Sequence, residues 1–168
     1  GHWWFEGPWF LDALIRRSVT DQDVYRLGTP VDYLRENPEN QVSTPTLSSW
    51  GERGYASMWL DGANDWIYPH LHKCADLMVD LARRYPDAST LQRRALNQAA
   101  RELLLAQASD WAFIMKTGTM VDYAVRRTRE HIARFLRLHD QIRADQIDLV
   151  WLGEVESRNN LFPELDYR

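Results

Sequence analysis

The feature that most constrains this chain is the apolar spacing between Tyr68 and Val155. Leu71, Cys74, Ala75, Met78, Leu81, Ala82 and Tyr85 recur three or four residues apart, the interval that gathers side chains on one face of an α-helix. Tyr85-Pro86-Asp87 ends that pattern. Ser89 with Gln92 three residues on forms a capping box, and Leu91, Ala95, Leu96, Ala99 and Leu103 carry a second helix. After the break at Thr117-Gly118-Thr119, Thr119 is expected to cap a long helix. Its apolar positions are Val121, Ala124, Val125, Thr128, Ile132, Phe135, Leu136 and Ile142. Asp145 is expected to cap a last helix through Leu149, Leu152 and Val155, and Leu161 to Glu164 reads as an extended tail. Alternation of the strand type never persists. Amphipathic helices bury their stripes against one another, so the spacing predicts an all-α fold, an antiparallel helical bundle.

The first third of the chain reads differently. Pro8 to Arg17 predicts a short helix with Phe10, Leu11, Leu14 and Ile15 on one face. Thr29 and Pro30 are an N-cap and first helical residue, and Asn37-Pro38 stops that helix near Glu36. Asn37 to Gly54 is loop-like, and irregular stretches of that length are commonly functional. The start, Gly1-His2-Trp3-Trp4-Phe5, has neither an initiator methionine nor a basic leader region. A bare aromatic run would be an exposed apolar patch, so the chain is expected to begin inside a larger protein.

Composition narrows the function. The 168 residues suffice for a real core. Acidic residues number 24 against 20 basic ones, a net charge of −4 that disfavours nucleic acid as a partner. No stretch approaches the roughly 20 apolar residues of a membrane span. The lone Cys74 can form no internal disulfide, which points to a reducing, cytoplasmic setting. His70 and His72 point about 200° apart on a helix, and no HExxH accompanies them, so no metal site is expected. No nucleophile elbow and no Gly-rich phosphate loop follow a strand, and no cofactor is expected.

The aromatic load is heavy, with eight tryptophans and seven tyrosines. Trp50 lies among Ser48, Ser49, Gly51 and Gly54, where small neighbours leave its ring uncovered. It either stacks on a sugar or folds back onto the helices. Asp110 sits within Leu103-Leu104-Leu105-Ala106-Gln107-Ala108-Ser109-Asp110-Trp111, read as the end of an apolar helix. Such a carboxylate caps, pairs or faces a polar cleft.

Five ordered blocks then resemble one family. They are Gly1-His2-Trp3-Trp4-Phe5-Glu6-Gly7-Pro8, Ser48-Ser49-Trp50-Gly51-Glu52, Asn64-Asp65-Trp66-Ile67-Tyr68, Ser109-Asp110-Trp111-Ala112-Phe113-Ile114-Met115-Lys116-Thr117-Gly118 and Phe162-Pro163-Glu164-Leu165-Asp166-Tyr167. Together they are similar to the C-terminal part of the 1,4-α-glucan branching enzymes of glycoside hydrolase family 57. The resemblance covers essentially the whole chain.

It implies an incomplete (β/α) barrel bearing the active site, followed by an α-helical domain that closes over the cleft. Residues 1–36 would be the tail end of the barrel domain and 37–168 the helical C-terminal domain. The family's retaining chemistry uses a Glu nucleophile and an Asp acid/base to move an α-1,4 glucan onto a 6-hydroxyl. Both carboxylates fall upstream of Gly1, so no catalytic residue is carried over, and neither Glu6 nor Asp12 takes such a role. Substrate contacts do carry over: Trp50, Trp59, Asp110 and Thr119. Relatives often have Gln at the last position, and Thr keeps the hydroxyl with less reach. Arg53 replaces a glycine of the family's SSWGEGG pattern, and Pro69 marks the start of regular helix. The implied partners are an α-1,4-glucan and the barrel of the same protein. Alternatives are a helical glucan-binding module, a structural bundle and part of a related family 57 amylase.

Overall fold

A computed structural model describes residues 6–49 and 51–168, which carry helices and turns but no strand. The predicted all-α class is what is seen. The chain divides into two compact units, Gly1–Thr46 and Leu47–Arg168.

The first unit holds α1 (Gly7–Thr20) and α2 (Pro30–Glu36). Polar groups organise it. Ser18 Oγ donates to the Leu14 carbonyl at 2.6 Å and meets the Tyr25 hydroxyl at 3.0 Å. The Gln22 side chain bridges Ser18 and Tyr25, donating to their carbonyls and accepting from the Val24 and Tyr25 amides. Thr29 and Asp32 form a capping box for α2. The apolar face predicted for α1 is present but uncovered within this unit: Phe10, Leu11, Leu14 and Ile15 are all exposed.

The second unit is the bundle, made of α3 (Ile67–Arg84), α4 (Thr90–Ala106), α5 (Ser109–Thr117), α6 (Val121–Ala144) and α7 (Leu149–Arg158). Two single 3₁₀ turns, Glu52–Gly54 and Ala56–Met58, precede them. α3 buries Ile67, Leu71, Cys74, Met78 and Leu81, one stripe at helical spacing. The Ser89–Gln92 capping box opens α4 as expected. α6 packs on α3, α4 and α5, and α7 packs on α4. One core cluster contains Leu81, Leu96, Phe135, Leu138 and Leu152; a second contains Ile67, Leu71, Ala112, Met115 and Ala124. Each fully buried leucine or phenylalanine contributes about 2 kcal/mol.

Several local expectations are corrected. Thr119 does not cap α6: Met120 occupies that position without a side-chain cap, and the Thr119 hydroxyl turns to that of Thr117 at 3.3 Å. Asp145 ends α6 instead of starting α7. It sits at φ 53°, and its amide closes onto the carbonyls of Gln141 and Ile142. The cap of α7 is Asp148, whose Oδ1 accepts from the Trp151 amide at 3.1 Å. Residues 161–165 form a turn, not an extended tail: Phe162 lies at φ 47°, and the Leu165 amide donates to its carbonyl.

The turn is gripped by Arg101, whose guanidinium donates to the carbonyls of Leu161, Phe162 and Pro163 at 2.8, 3.4 and 2.9 Å. Tyr167 then enters the core, its hydroxyl bonded to the Tyr85 carbonyl and its amide to Asn97 Oδ1. Beside Arg101 lies a wholly buried carboxylate, Glu102. Its Oε1 accepts from Asn159 Nδ2 at 2.6 Å and Gln98 Nε2 at 3.0 Å, and its Oε2 lies 2.7 Å from His131 Nδ1.

Removing that carboxylate strands the buried donors of Asn159 and His131, each costing about 1–3 kcal/mol, and leaves Gln98 Nε2 only its 3.4 Å bond to the Asn159 carbonyl. Glu102→Ala is therefore expected to destabilise the chain by about 3 kcal/mol or more, and Glu102→Gln, which keeps the shape and one acceptor oxygen, by less. Urea unfolding of the two variants checks this; equal midpoints for Glu102→Ala and the parent chain would contradict it.

Candidate functional site

Three of the expected contact residues, Trp59, Asp110 and Thr119, lie on or beside α5, and the turn before Trp59 packs against it. Ser49 anchors the loop before α3: its Oγ donates to the Tyr55 carbonyl at 2.6 Å and accepts from the Gly51 amide at 3.1 Å. Arg53 stands at φ 58°, ψ 15°, in the left-handed region that favours glycine. That explains the glycine expected there from the resemblance; an arginine holds this conformation at a cost of about 1–2 kcal/mol. Trp50, the first expected sugar-stacking residue, lies outside the described residues.

Trp59 follows the second 3₁₀ turn and is half-buried. Its ring lies so close over Gly51 that a Cβ there would come within 2.7 Å of it, so only glycine fits beneath the indole. The Trp59 carbonyl accepts from the Tyr68 hydroxyl. Asn64, fully buried, completes the loop: Nδ2 donates to the carbonyls of Met58 and Ala112 at 3.1 and 3.0 Å, and Oδ1 accepts from the Asp61 amide at 2.8 Å. Asp61 also pairs with Lys116 on α5 at 2.6 Å. That bond, with a weaker one from the Ala63 amide, holds the Asp61 carboxyl below its usual range. Nothing in the sequence marked Asn64, Asp61 and Lys116 as the staples of this loop beyond two of the quoted blocks.

Asp110 is not at the end of an apolar helix. α4 stops at Ala106, and Asp110 stands in the first turn of α5, where the helix dipole favours a carboxylate. It is exposed, and its carboxylate makes no hydrogen bond or ion pair among the described residues. The next residue, Trp111, is spent structurally: its indole N–H donates to the Leu105 carbonyl at 2.7 Å, and its ring meets Tyr123 edge-on at 5.9 Å. Gly118, at φ 74°, ends α5 and turns the chain to exposed Thr119. Asp110 and Thr119 thus flank α5 at opposite ends, roughly 13 Å apart along its axis, and the turn before Trp59 packs against the same helix. His70 and His72 diverge as expected, one edge-on to Trp66 and the other beside Tyr68.

Residues 70–168 match the family described as 1,4-alpha-glucan branching enzyme, C-terminal. The chain belongs to that family. It is 34% identical over 172 residues to a 1,4-alpha-glucan branching enzyme of Thermococcus kodakarensis, a match covering 96% of this chain and 24% of the relative. Among solved structures, the GH57-type branching enzyme of Pyrococcus horikoshii superposes with a TM-score of 0.76 at 34% identity, over 99% of this chain and 32% of that one. The alpha-amylase AmyC of Thermotoga maritima superposes with a TM-score of 0.69 at 43% identity, over 100% of this chain and 30% of that one. The chain therefore spans about a quarter of the length of the curated relative.

The Asp61–Lys116 pair sets a pH dependence. A carboxyl whose folded pKa is lowered stabilises above its unfolded value, near 3.8, and that contribution disappears as the pH falls through the folded value. Lys116→Met is expected to lower the melting temperature at neutral pH, with the difference from the parent chain closing as the pH drops below 3.8. Thermal melts across that range check it.

Proposed function

We propose that this chain is the C-terminal part of a glucan branching enzyme and that its α5 region faces the glucan. In this reading a partner barrel supplies the retaining chemistry, in which a Glu and an Asp outside this chain break an α-1,4 bond and re-form an α-1,6 bond. Residues 1–36 belong to the end of that barrel domain and 37–168 to the helical domain. Trp50, Trp59, Asp110 and Thr119 hold the substrate. The observation that carries the reading is Asp110, an exposed carboxylate with no partner among the described residues, in a family of branching enzymes. The exposed apolar residues of α1 support the barrel of the same protein as the neighbour of the first unit, since such a face buries against a partner. Cys74 is a free, buried thiol, and burial pushes its pKa up, as suits an inert core residue in a reducing cytoplasm. No helix among the described residues is long and apolar enough to cross a membrane.

The similarity to an alpha-amylase favours one second reading, hydrolysis in place of transfer. The two are separated by the products of the full-length protein on amylose. Branching lowers iodine staining and creates α-1,6 linkages without a matching rise in reducing ends; hydrolysis raises the reducing ends. The 168-residue chain alone is expected to do neither, and turnover above background would place the chemistry inside it.

Asp110→Asn in the full-length protein is expected to lower kcat/KM on amylose about tenfold, the scale of a lost hydrogen bond to a charged acceptor, with the thermal midpoint unchanged. Unchanged kinetics with a lowered midpoint would make Asp110 a structural residue.

A further inference from the structure

We propose that Tyr123 and Arg126 extend the glucan-binding surface beyond Thr119, a proposal that rests on the glucan reading above. An open cavity of about 530 Å³ lies at the α5–α6 corner, and Thr119, Asp122, Tyr123 and Arg126 line it. The residue expected from the resemblance thus shares a cavity with three that no motif singled out.

Arg126 differs from most arginines on its helix. Arg127 and Arg134 pair with Glu130, Arg137 with Asp148, and Arg143 with Asp80. Arg126 has no carboxylate partner among the described residues; its guanidinium stands over the Tyr123 ring, 5.7 Å from the centroid. The Tyr123 ring is in turn held in a T-shaped contact with Trp111, which is itself anchored through its indole N–H. The result is a partly exposed aromatic ring held by Trp111 and Arg126, with guanidinium donors over it, the Thr119 hydroxyl as donor and acceptor, and the Asp122 carboxylate as acceptor.

The chemistry of this set selects its ligand. An anion would gain from Arg126 but meet Asp122; a cation would meet the reverse. A neutral polyhydroxyl ring uses both, its hydroxyls donating to Asp122 and accepting from Arg126, while its C–H groups pack on the exposed part of the Tyr123 ring. A glucose unit of an α-glucan is such a ligand.

The test measures retardation of the full-length protein in native gels containing amylose, beside thermal melts. Arg126→Ala and Tyr123→Ala are each expected to weaken amylose affinity about threefold to tenfold, the range of one or two lost hydrogen bonds or a lost stacking face. Tyr123→Phe, which keeps the ring, is expected to retain most of the affinity. Arg126 is exposed and forms no ion pair among the described residues, so its variant keeps its melt and decides the question if Tyr123→Ala folds poorly. Unchanged affinity for Arg126→Ala, with Asp110→Asn weakened, overturns the proposal and leaves the glucan reading standing. Unchanged affinity for both overturns the two together.

Discussion

The fold turns on one buried carboxylate. Glu102 is reached by Gln98 from its own helix, by His131 from α6 and by Asn159 from the end of α7. A carboxylate removed from water is costly unless donors surround it, so these groups must arrive together or not at all. Apolar contacts between α4 and α6 tolerate sliding; a shared acceptor does not. The adjacent Arg101 extends the same requirement to the last residues by holding three carbonyls of the closing turn. The position of Tyr167 in the core follows from that turn.

A second set of constraints shapes the surface around α5. Asn64 and the Asp61–Lys116 pair tie the irregular loop to this helix, while Gly51 admits the Trp59 ring. Buried polar bonds from Asn64 hold the described part of this loop where no regular ladder does. Arg53 in the left-handed region shows that the path is imposed on the sequence at this point.

The helices were legible because their apolar spacing has a single geometric solution. Stripes on α3, α4 and α6 follow from residues three and four apart. Caps were less legible: Asp145 and Asp148 are both acidic residues just before an apolar run, and only the left-handed turn at Asp145 decides between them. Asp110 is read onto the wrong helix because the break at Gln107–Ala108 carries no glycine or proline, and Thr119 misses the cap because α6 starts one residue later, after Met120. The polar core was not legible at all. The apolar spacing picks out neither Gln98, Glu102 nor His131, because a sequence shows residue types but not the partners that make burial tolerable. Asp110 and Thr119 as substrate contacts came from the resemblance alone; the geometry adds their exposure and their places at the two ends of α5.

On the glucan reading, a helical surface without the reacting carboxylates still bears on the outcome of the reaction. Binding that is equal in the ground and transition states lowers KM and does nothing for the chemical step. Transfer has a further requirement, because the covalent intermediate is claimed by whichever hydroxyl is held near it, and water is everywhere. A fixed surface that orients an acceptor chain raises its effective concentration at the intermediate without touching a reacting atom. Such a surface needs rigid aromatic faces and mixed donors and acceptors that suit a neutral polyol. The corner formed by Trp111, Thr119, Asp122, Tyr123 and Arg126 has that character, because Trp111 is locked by the end of α4 and in turn locks Tyr123. What the α4–α5 break contributes to this corner is order: the Leu105 carbonyl fixes the Trp111 indole, and the indole fixes the Tyr123 ring.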